Sequence, residues 1–299
     1  MGWTRFCRDG WIPRMHPFPL DLHGRGMYPR WLRGMGRRLT ILFRNLAFYL
    51  AAAGMTLAFA PVLAMAALKI IAWDRLARMY LAGIAFLLKR VCGVTVEVTG
   101  LDNIPAGQVL FACAQQCTWE NFYIPDMLGD PVVFIKNEIV GYPIVGKLSL
   151  ERGYIVANRG QGVDAIRHTF AEARVRKSEG RSFFIFPTGW RTGKALSPPL
   201  QHGIAKLYGM LELPCVPIAH NAVLCWPHKS WLRLPGTIRV HILPPIEPGL
   251  DKARFLARLH SELFGATDDL LAPPSPPAFY RQLDARGTDL ARTMMDVGN

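Results

Sequence analysis

Apolar and polar positions follow two different regimes along this chain. Residues 46–68 carry no charge over 23 positions, a length sufficient for a bilayer-spanning helix. Pro61 lies inside that run, and a proline in a helix interior removes a hydrogen bond and kinks or breaks the helix. A second helical pattern covers 74–90. Its apolar side includes Leu76, Met79, Tyr80, Gly83, Ile84 and Leu87, and Arg75, Arg78, Lys89 and Arg90 stand at its ends, which makes it amphipathic rather than spanning. From Val94 the pattern shortens. Seven brief apolar runs, 94–99, 109–113, 132–135, 154–156, 182–186, 216–219 and 237–242, have the length and composition of buried strands. Helical spacing lies between several of them, including 163–177 and 203–211. Strands interleaved with helices predict an α/β fold: a mostly parallel central sheet of about seven strands flanked by helices, preceded by a membrane-associated two-helix segment. The expected organisation is a basic irregular arm over 1–38, a helical hairpin over 39–90, the α/β domain over 91–270 and a peripheral tail over 271–299, beginning at the proline-rich break 272–277.

Composition narrows the setting. The chain is 51% hydrophobic and 19% charged, apolar but not wholly membrane-embedded, and its net charge is +13. Nucleic acid, anionic lipid headgroups and acidic substrates all attract such a charge. The sequence has no DNA- or RNA-binding motif, and Arg30, Arg33, Arg37 and Arg38 crowd the start of the apolar run. That placement favours a membrane surface and no nucleic acid. The arm before them reads either as a disordered tail or as a headgroup-binding segment. The positive-inside rule puts 30–44 in the cytoplasm. A hairpin that dips into one leaflet and returns keeps the α/β domain there too; the alternative is a single span with an external domain. The six cysteines show no Cys-x-x-Cys spacing, so neither a metal site nor a cofactor is expected.

Four stretches carry the candidate chemistry. In 109–125, VLFACAQQCTWENFYIP, an apolar strand ends abruptly in polar residues, the place where ligands bind in open α/β sheets. In 134–159, Lys136 and Glu138 follow a strand, Pro143 and Gly146 lie mid-way, and Arg159 closes the next strand. In 184–192, FIFPTGWRT, a strand ends in Pro-x-Gly with Arg191 beyond it. In 213–222, LPCVPIAHNA, a strand leads into His220 and Asn221. Composition alone reads Lys136 and Arg159 as solvated surface charge, and His220 as structural.

In this order and spacing the four stretches resemble the lysophosphatidic acid acyltransferase family. Its first motif is His-x-x-x-x-Asp, with Glu in the last place in some bacterial members, one of which runs Lys-His-Gln-Ser-x-Trp-Glu-Thr. Gln116, Trp119 and Glu120 match that variant, and Gln115 stands where the family has its histidine. A rival register aligns Gln116 and Asn121 instead and also lacks a histidine. The third motif, Phe-Pro-Glu-Gly-Thr-Arg-Ser, is matched by Phe186, Pro187, Gly189 and Arg191, with Thr188 in place of the glutamate. The resemblance covers about 47–263. It implies a membrane-bound enzyme on the cytoplasmic face of a bacterial inner membrane, moving a fatty acyl group from acyl-CoA or acyl carrier protein to a lysophospholipid such as lysophosphatidic acid.

It also implies roles. Gln115 and Glu120 occupy the catalytic positions, with Glu120 expected to face residue 115. Lys136, Arg159, Gly189 and Arg191 occupy the substrate-binding ones, where Arg and Lys pair well with phosphate oxygens. An amide has no useful basic pKa, so Gln115 cannot act as general base. The expectation is a degenerate site with slow turnover; the alternative is a catalytically silent relative that binds lipid or acyl carrier.

Overall fold

The computed structural model describes residues 35–67, 72–142, 145–157, 163–188, 198–228 and 230–272. The expected N-terminal arm, all but its last four residues, and the tail beyond Ala272 lie outside them, as do Arg159, Gly189 and Arg191.

A helical hairpin comes first. Helix α1 (Met35–Ala58) breaks at Phe59 and resumes as α2 (Ala60–Ala67), because Pro61 has no N–H to continue the ladder. Helix α3 (Trp73–Leu87) returns antiparallel and ends in a π turn, Leu88–Cys92. The hairpin is pinned by a Thr56–Tyr80 hydroxyl pair at 3.0 Å and by the edge-on rings of Phe59 and Tyr80. Gly83 lets the helices approach, since a Cβ there would come within 2.5 Å of the Met55 sulfur.

One face of α1 is seated on the α/β domain. Asn45, fully buried, donates to the carbonyls of Ile41 (2.8 Å) and Arg233 (3.0 Å), and its Oδ1 accepts from the Arg233 N–H at 2.6 Å. The Arg233 guanidinium lies 3.7 Å from the centre of the Trp226 ring and donates to the carbonyls of Ser230 and Leu232. Tyr49 reaches the Trp231 carbonyl at 2.6 Å. The other face of α1, with Phe43, Leu46, Leu50 and Leu57, is exposed. Among the described residues one helical stretch, Arg38–Val62, is long and apolar enough to cross a membrane.

The seven expected strands all form: β1 (Val94–Thr99), β2 (Leu110–Cys113), β3 (Val132–Lys136), β4 (Ile155–Ala157), β5 (Phe183–Ile185), β6 (Cys215–His220) and β7 (Gly236–Ile242). They make one sheet in the order β1-β7-β6-β2-β5-β3-β4. Every neighbouring pair is parallel except β6 and β7. The central strands read as unbroken apolar runs because both faces are covered. One core holds Phe111, Val133, Phe184, Val216 and Ile238 together with Phe48, Leu88 and Cys92 from the hairpin. The other packs Leu110, Phe183 and Cys215 under the helices that follow.

The helices are α4 (Glu120–Met127), α5 (Asn137–Val140), α6 (Val145–Glu151), α7 (Val163–Ser178), α8 (His202–Leu211) and α9 (Lys252–Leu271); α4 and α5 pack on the first core, and α7, α8 and α9 cover the second. The pattern analysis left α9 out. Asp251 caps it, accepting from the N–H groups of Ala253 (2.9 Å) and Arg254 (3.0 Å). Phe255, Leu259 and Leu263, four residues apart, give it a fully buried stripe. Phe255 stacks on Tyr208 of α8, with ring centroids 3.8 Å apart.

Candidate active site

Strands β2, β5, β3, β4 and β6 run the same way, so their carboxyl ends share one edge of the sheet. The loop 114–119 leaves β2 at the middle of that edge. Its fold is dictated by Glu120. That side chain is fully buried, and its Oε1 accepts from the N–H groups of Gln116 and Cys117, both at 2.6 Å. Its Oε2 accepts from the Cys117 thiol at 3.0 Å. A buried carboxylate must be met by donors, and here the turn itself supplies them.

Glu120 therefore serves the loop and does not face residue 115 as expected from the five-residue spacing. Burial, and then the neighbouring Glu120 charge, push the Cys117 thiol well above its ordinary pKa. That leaves it a poor nucleophile.

Gln116 is buried as well. Its side chain donates to the His220 carbonyl at 2.5 Å and accepts from the Val223 N–H at 3.2 Å, tying the loop to the end of β6. His220 is committed at both ring nitrogens. Nδ1 accepts from the Ala222 N–H at 3.3 Å, which places the proton on Nε2, 2.8 Å from the Ala114 carbonyl. A neutral imidazole held in this way, fully buried, is structural. Trp119, also buried, stacks on Tyr123 and lies 6.5 Å from the His220 ring.

Gln115 is the loop side chain that stays half-exposed at the end of β2. Its amide donates to Asn121 Oδ1 at 3.3 Å. Beside it lies a small cleft, about the size of one water, lined by Ala114, Gln115, Gln116, Thr188, Pro198, Phe264 and Thr267. Thr188, at the family's glutamate position, is buried. The Gln201 N–H donates to the Pro187 carbonyl at 2.7 Å, which holds the turn after β5 against the start of α8.

Lys136 ends β3, two strands from β2 on the same edge, roughly 10 Å away at the usual strand spacing. It is half-buried and has an interaction of its own. In the same stretch Gly146 has a backbone reason for its identity: a Cβ there would meet the Val140 carbonyl oxygen at 2.2 Å. The structure thus brings Gln115 and Thr188 to one cleft, sets Asn121 against Gln115, leaves Lys136 two strands away on the same edge, and turns Glu120 inward. Phe264 and Thr267 were not expected at the site. The signal that finds them is the capping Asp251 followed by apolar residues at helical spacing.

Comparison with known proteins shows what the chain is similar to. A sequence profile of the family described as Acyltransferase matches residues 95–221, the span from β1 to the end of β6. A 1-acyl-sn-glycerol-3-phosphate acyltransferase from Pseudomonas aeruginosa is 29% identical over 191 residues, covering 64% of this chain and 74% of that protein. Over those residues the chain is similar to the acyltransferase family that includes these enzymes. The enzyme of the same description from Limnanthes alba is 26% identical over 174 residues, which cover 58% of this chain and 62% of that protein. The fold is that of the 1-acyl-sn-glycerophosphate (LPA) acyltransferase PlsC from Thermotoga maritima. Its crystal structure matches with a TM-score of 0.59 at 18% identity, over 79% of this chain and all of that one. The profile stops short of α9, so Phe264 and Thr267 reach the cleft from beyond the matched region.

Proposed function

We propose that the protein is a membrane-bound glycerolipid acyltransferase. It moves a fatty acyl group from acyl-CoA or acyl carrier protein to the hydroxyl of a lysophospholipid such as lysophosphatidic acid. The observation that carries this reading is the half-exposed Gln115 at the carboxyl end of β2, opening into a cleft shared with Thr188. That is where the family's first and third motifs meet. The Gln115 amide, steadied by Asn121, donates to the acceptor hydroxyl or to the thioester carbonyl. It cannot remove the proton. Without a general base the reaction forgoes roughly 10²–10⁴ in rate, so turnover is slow.

Lys136, Arg159, Gly189 and Arg191 bind the acceptor phosphate, the cationic side chains pairing with its oxygens. The exposed apolar face of α1, with Arg75, Arg78, Lys89 and Arg90 on α3 and its π turn, sits in one leaflet of the bacterial inner membrane from its cytoplasmic side. Such a face binds by apolar burial and by attraction to anionic headgroups. A second reading, a silent relative that binds lipid or acyl carrier without turnover, is favoured by one observation: both nitrogens of His220 are engaged, so it supplies no substitute base.

The test is phosphatidic acid formation by the full chain in lipid vesicles, from labelled acyl-CoA and lysophosphatidic acid. Slow product formation that Gln115→Ala abolishes supports the enzyme. Saturable binding of both substrates with no product supports the silent relative, and neither binding nor product overturns both.

A further inference from the structure

Strand β2 pairs with β6 as far as Cys113 opposite Ile218. Beyond that point the chain leaves the ladder. Ala114 and Gln116 stay buried, so the peptide groups on either side of Gln115 need other partners. Two side chains supply them. The peptide before Gln115 is held at its carbonyl: His220, two residues further along β6, donates from Nε2 to the Ala114 oxygen at 2.8 Å. The Cys113 thiol also points at that oxygen, from 3.5 Å, and is the weaker donor. The peptide after Gln115 is held at its nitrogen, where the Gln116 N–H donates to Glu120 Oε1 at 2.6 Å. One flanking peptide is thus fixed from β6 and the other from α4.

The hold on His220 is reciprocal. The Ala222 N–H on Nδ1, at 3.3 Å, orients the ring, and the His220 backbone carbonyl accepts from the Gln116 side chain at 2.5 Å. Ring and loop lock each other in place. The Gln115 side chain, between two buried neighbours, stays half-exposed with its amide on Asn121 Oδ1. With both flanking peptides pinned, the direction of that side chain is set by the backbone. Direction matters to rate, since a misplacement of about 1 Å costs on the order of 10²-fold.

We propose that His220 is a positioning residue for acyl transfer: its Nε2–H holds the peptide between Ala114 and Gln115 and so aims the Gln115 amide at the reacting groups. It moves no proton. The effect on rate rests on the acyltransferase reading, whereas amide hydrogen exchange reads the loop without turnover.

The test compares two polar replacements in the full chain. His220→Gln sets an amide nitrogen near the place of Nε2 and still donates to the Ala114 carbonyl. His220→Asn is shorter, reaches the place of Nδ1 and leaves that carbonyl without its main donor. By NMR in detergent, the Gln116 amide should exchange at least about tenfold faster in His220→Asn than in wild type and within about threefold of wild type in His220→Gln, while Phe111 in β2 is unchanged in both, because the opening is local. In phosphatidic acid formation on lipid vesicles, from labelled acyl-CoA and lysophosphatidic acid, His220→Asn should lose at least about tenfold in kcat with KM within about twofold, and His220→Gln should recover most of the loss. Thermal melting checks that each variant is folded, and His220→Leu, which also lacks a donor, carries the test if His220→Asn does not fold. Unchanged exchange at Gln116, equal effects of His220→Gln and His220→Asn, faster exchange at Phe111 as well, an unchanged kcat, or a loss carried by KM each overturns the proposal. A wild type that forms no product overturns the enzyme reading; exchange then decides alone, and loosening confined to the loop and rescued by His220→Gln keeps His220 as the residue that sets Gln115.

Discussion

Glu120→Ala should cost stability rather than only activity. The Glu120 carboxylate is fully buried and accepts two backbone N–H groups at 2.6 Å and a thiol at 3.0 Å. Truncation leaves both N–H groups without their partner in the interior. Each such loss costs about 1–3 kcal/mol, so the variant should lose about 4 kcal/mol. A domain of this size loses about 2–4 °C of Tm per kcal/mol, which puts the drop on the order of 10 °C. Glu120→Gln keeps an oxygen in place for the two N–H groups but gives up the charge, and should lose about half as much. The assay is a thermal scan of wild type and both variants by circular dichroism, in detergent and without substrate. An Ala variant melting within about 2 °C of wild type would refute the capping role and return Glu120 to the role of an acid that orients residue 115.

Three further outcomes follow from the same geometry. Replacing the exposed Phe43, Leu46 and Leu50 by Ser should reduce sedimentation with anionic vesicles and leave Tm nearly unchanged, because their side chains face away from the domain; full retention on the vesicles after a high-salt wash would place the anchor elsewhere. Arg191→Ala should weaken lysophosphatidate binding by about 1.5–3 kcal/mol, the worth of a charge-assisted hydrogen bond, and unchanged affinity in a titration would remove Arg191 from the phosphate site. Burial pushes the Cys225 thiol from 9.0 up to about 12. The folded state therefore holds that proton more tightly, and stability present below pH 9 is lost as pH rises toward 12; Tm should fall between pH 8.5 and 10.5 less steeply in Cys225→Ala, and parallel slopes would contradict this.

The sheet was legible because its strands are short, apolar and separated by helical spacing, so period alone located all seven. The break at Phe59 was legible from Pro61 for a stereochemical reason. Helix α9 was not read, although Asp251 and the 255–259–263 stripe carry its signal, because the motif-bearing stretches ended earlier in the chain. The partner of Gln115 was misjudged for a different reason. A five-residue spacing says which residues can approach across a strand-to-helix turn, but not where a buried carboxylate finds its donors. The nearby N–H groups of Gln116 and Cys117 outcompeted a neutral amide for Glu120, and Asn121, one residue further on, took Gln115 instead.

The central claim is that this cleft is an acyl-transfer site lacking its base, and supplying the base tests it most directly. Steady-state acyl transfer to lysophosphatidic acid should be measured for wild type, Gln115→His, Gln116→His and the double variant Gln115→His with Asn121→Asp. An imidazole at 115 would meet Asn121, which orients a neutral ring but supports an imidazolium less well than a carboxylate does. Gln115→His should therefore raise the rate at least about tenfold, and the double variant should raise it further, toward the 10²–10⁴ of full base catalysis. Gln116→His should give no gain, because that side chain is buried and tied to His220 and Val223. A fast wild type that Gln115→His leaves unchanged would contradict the account.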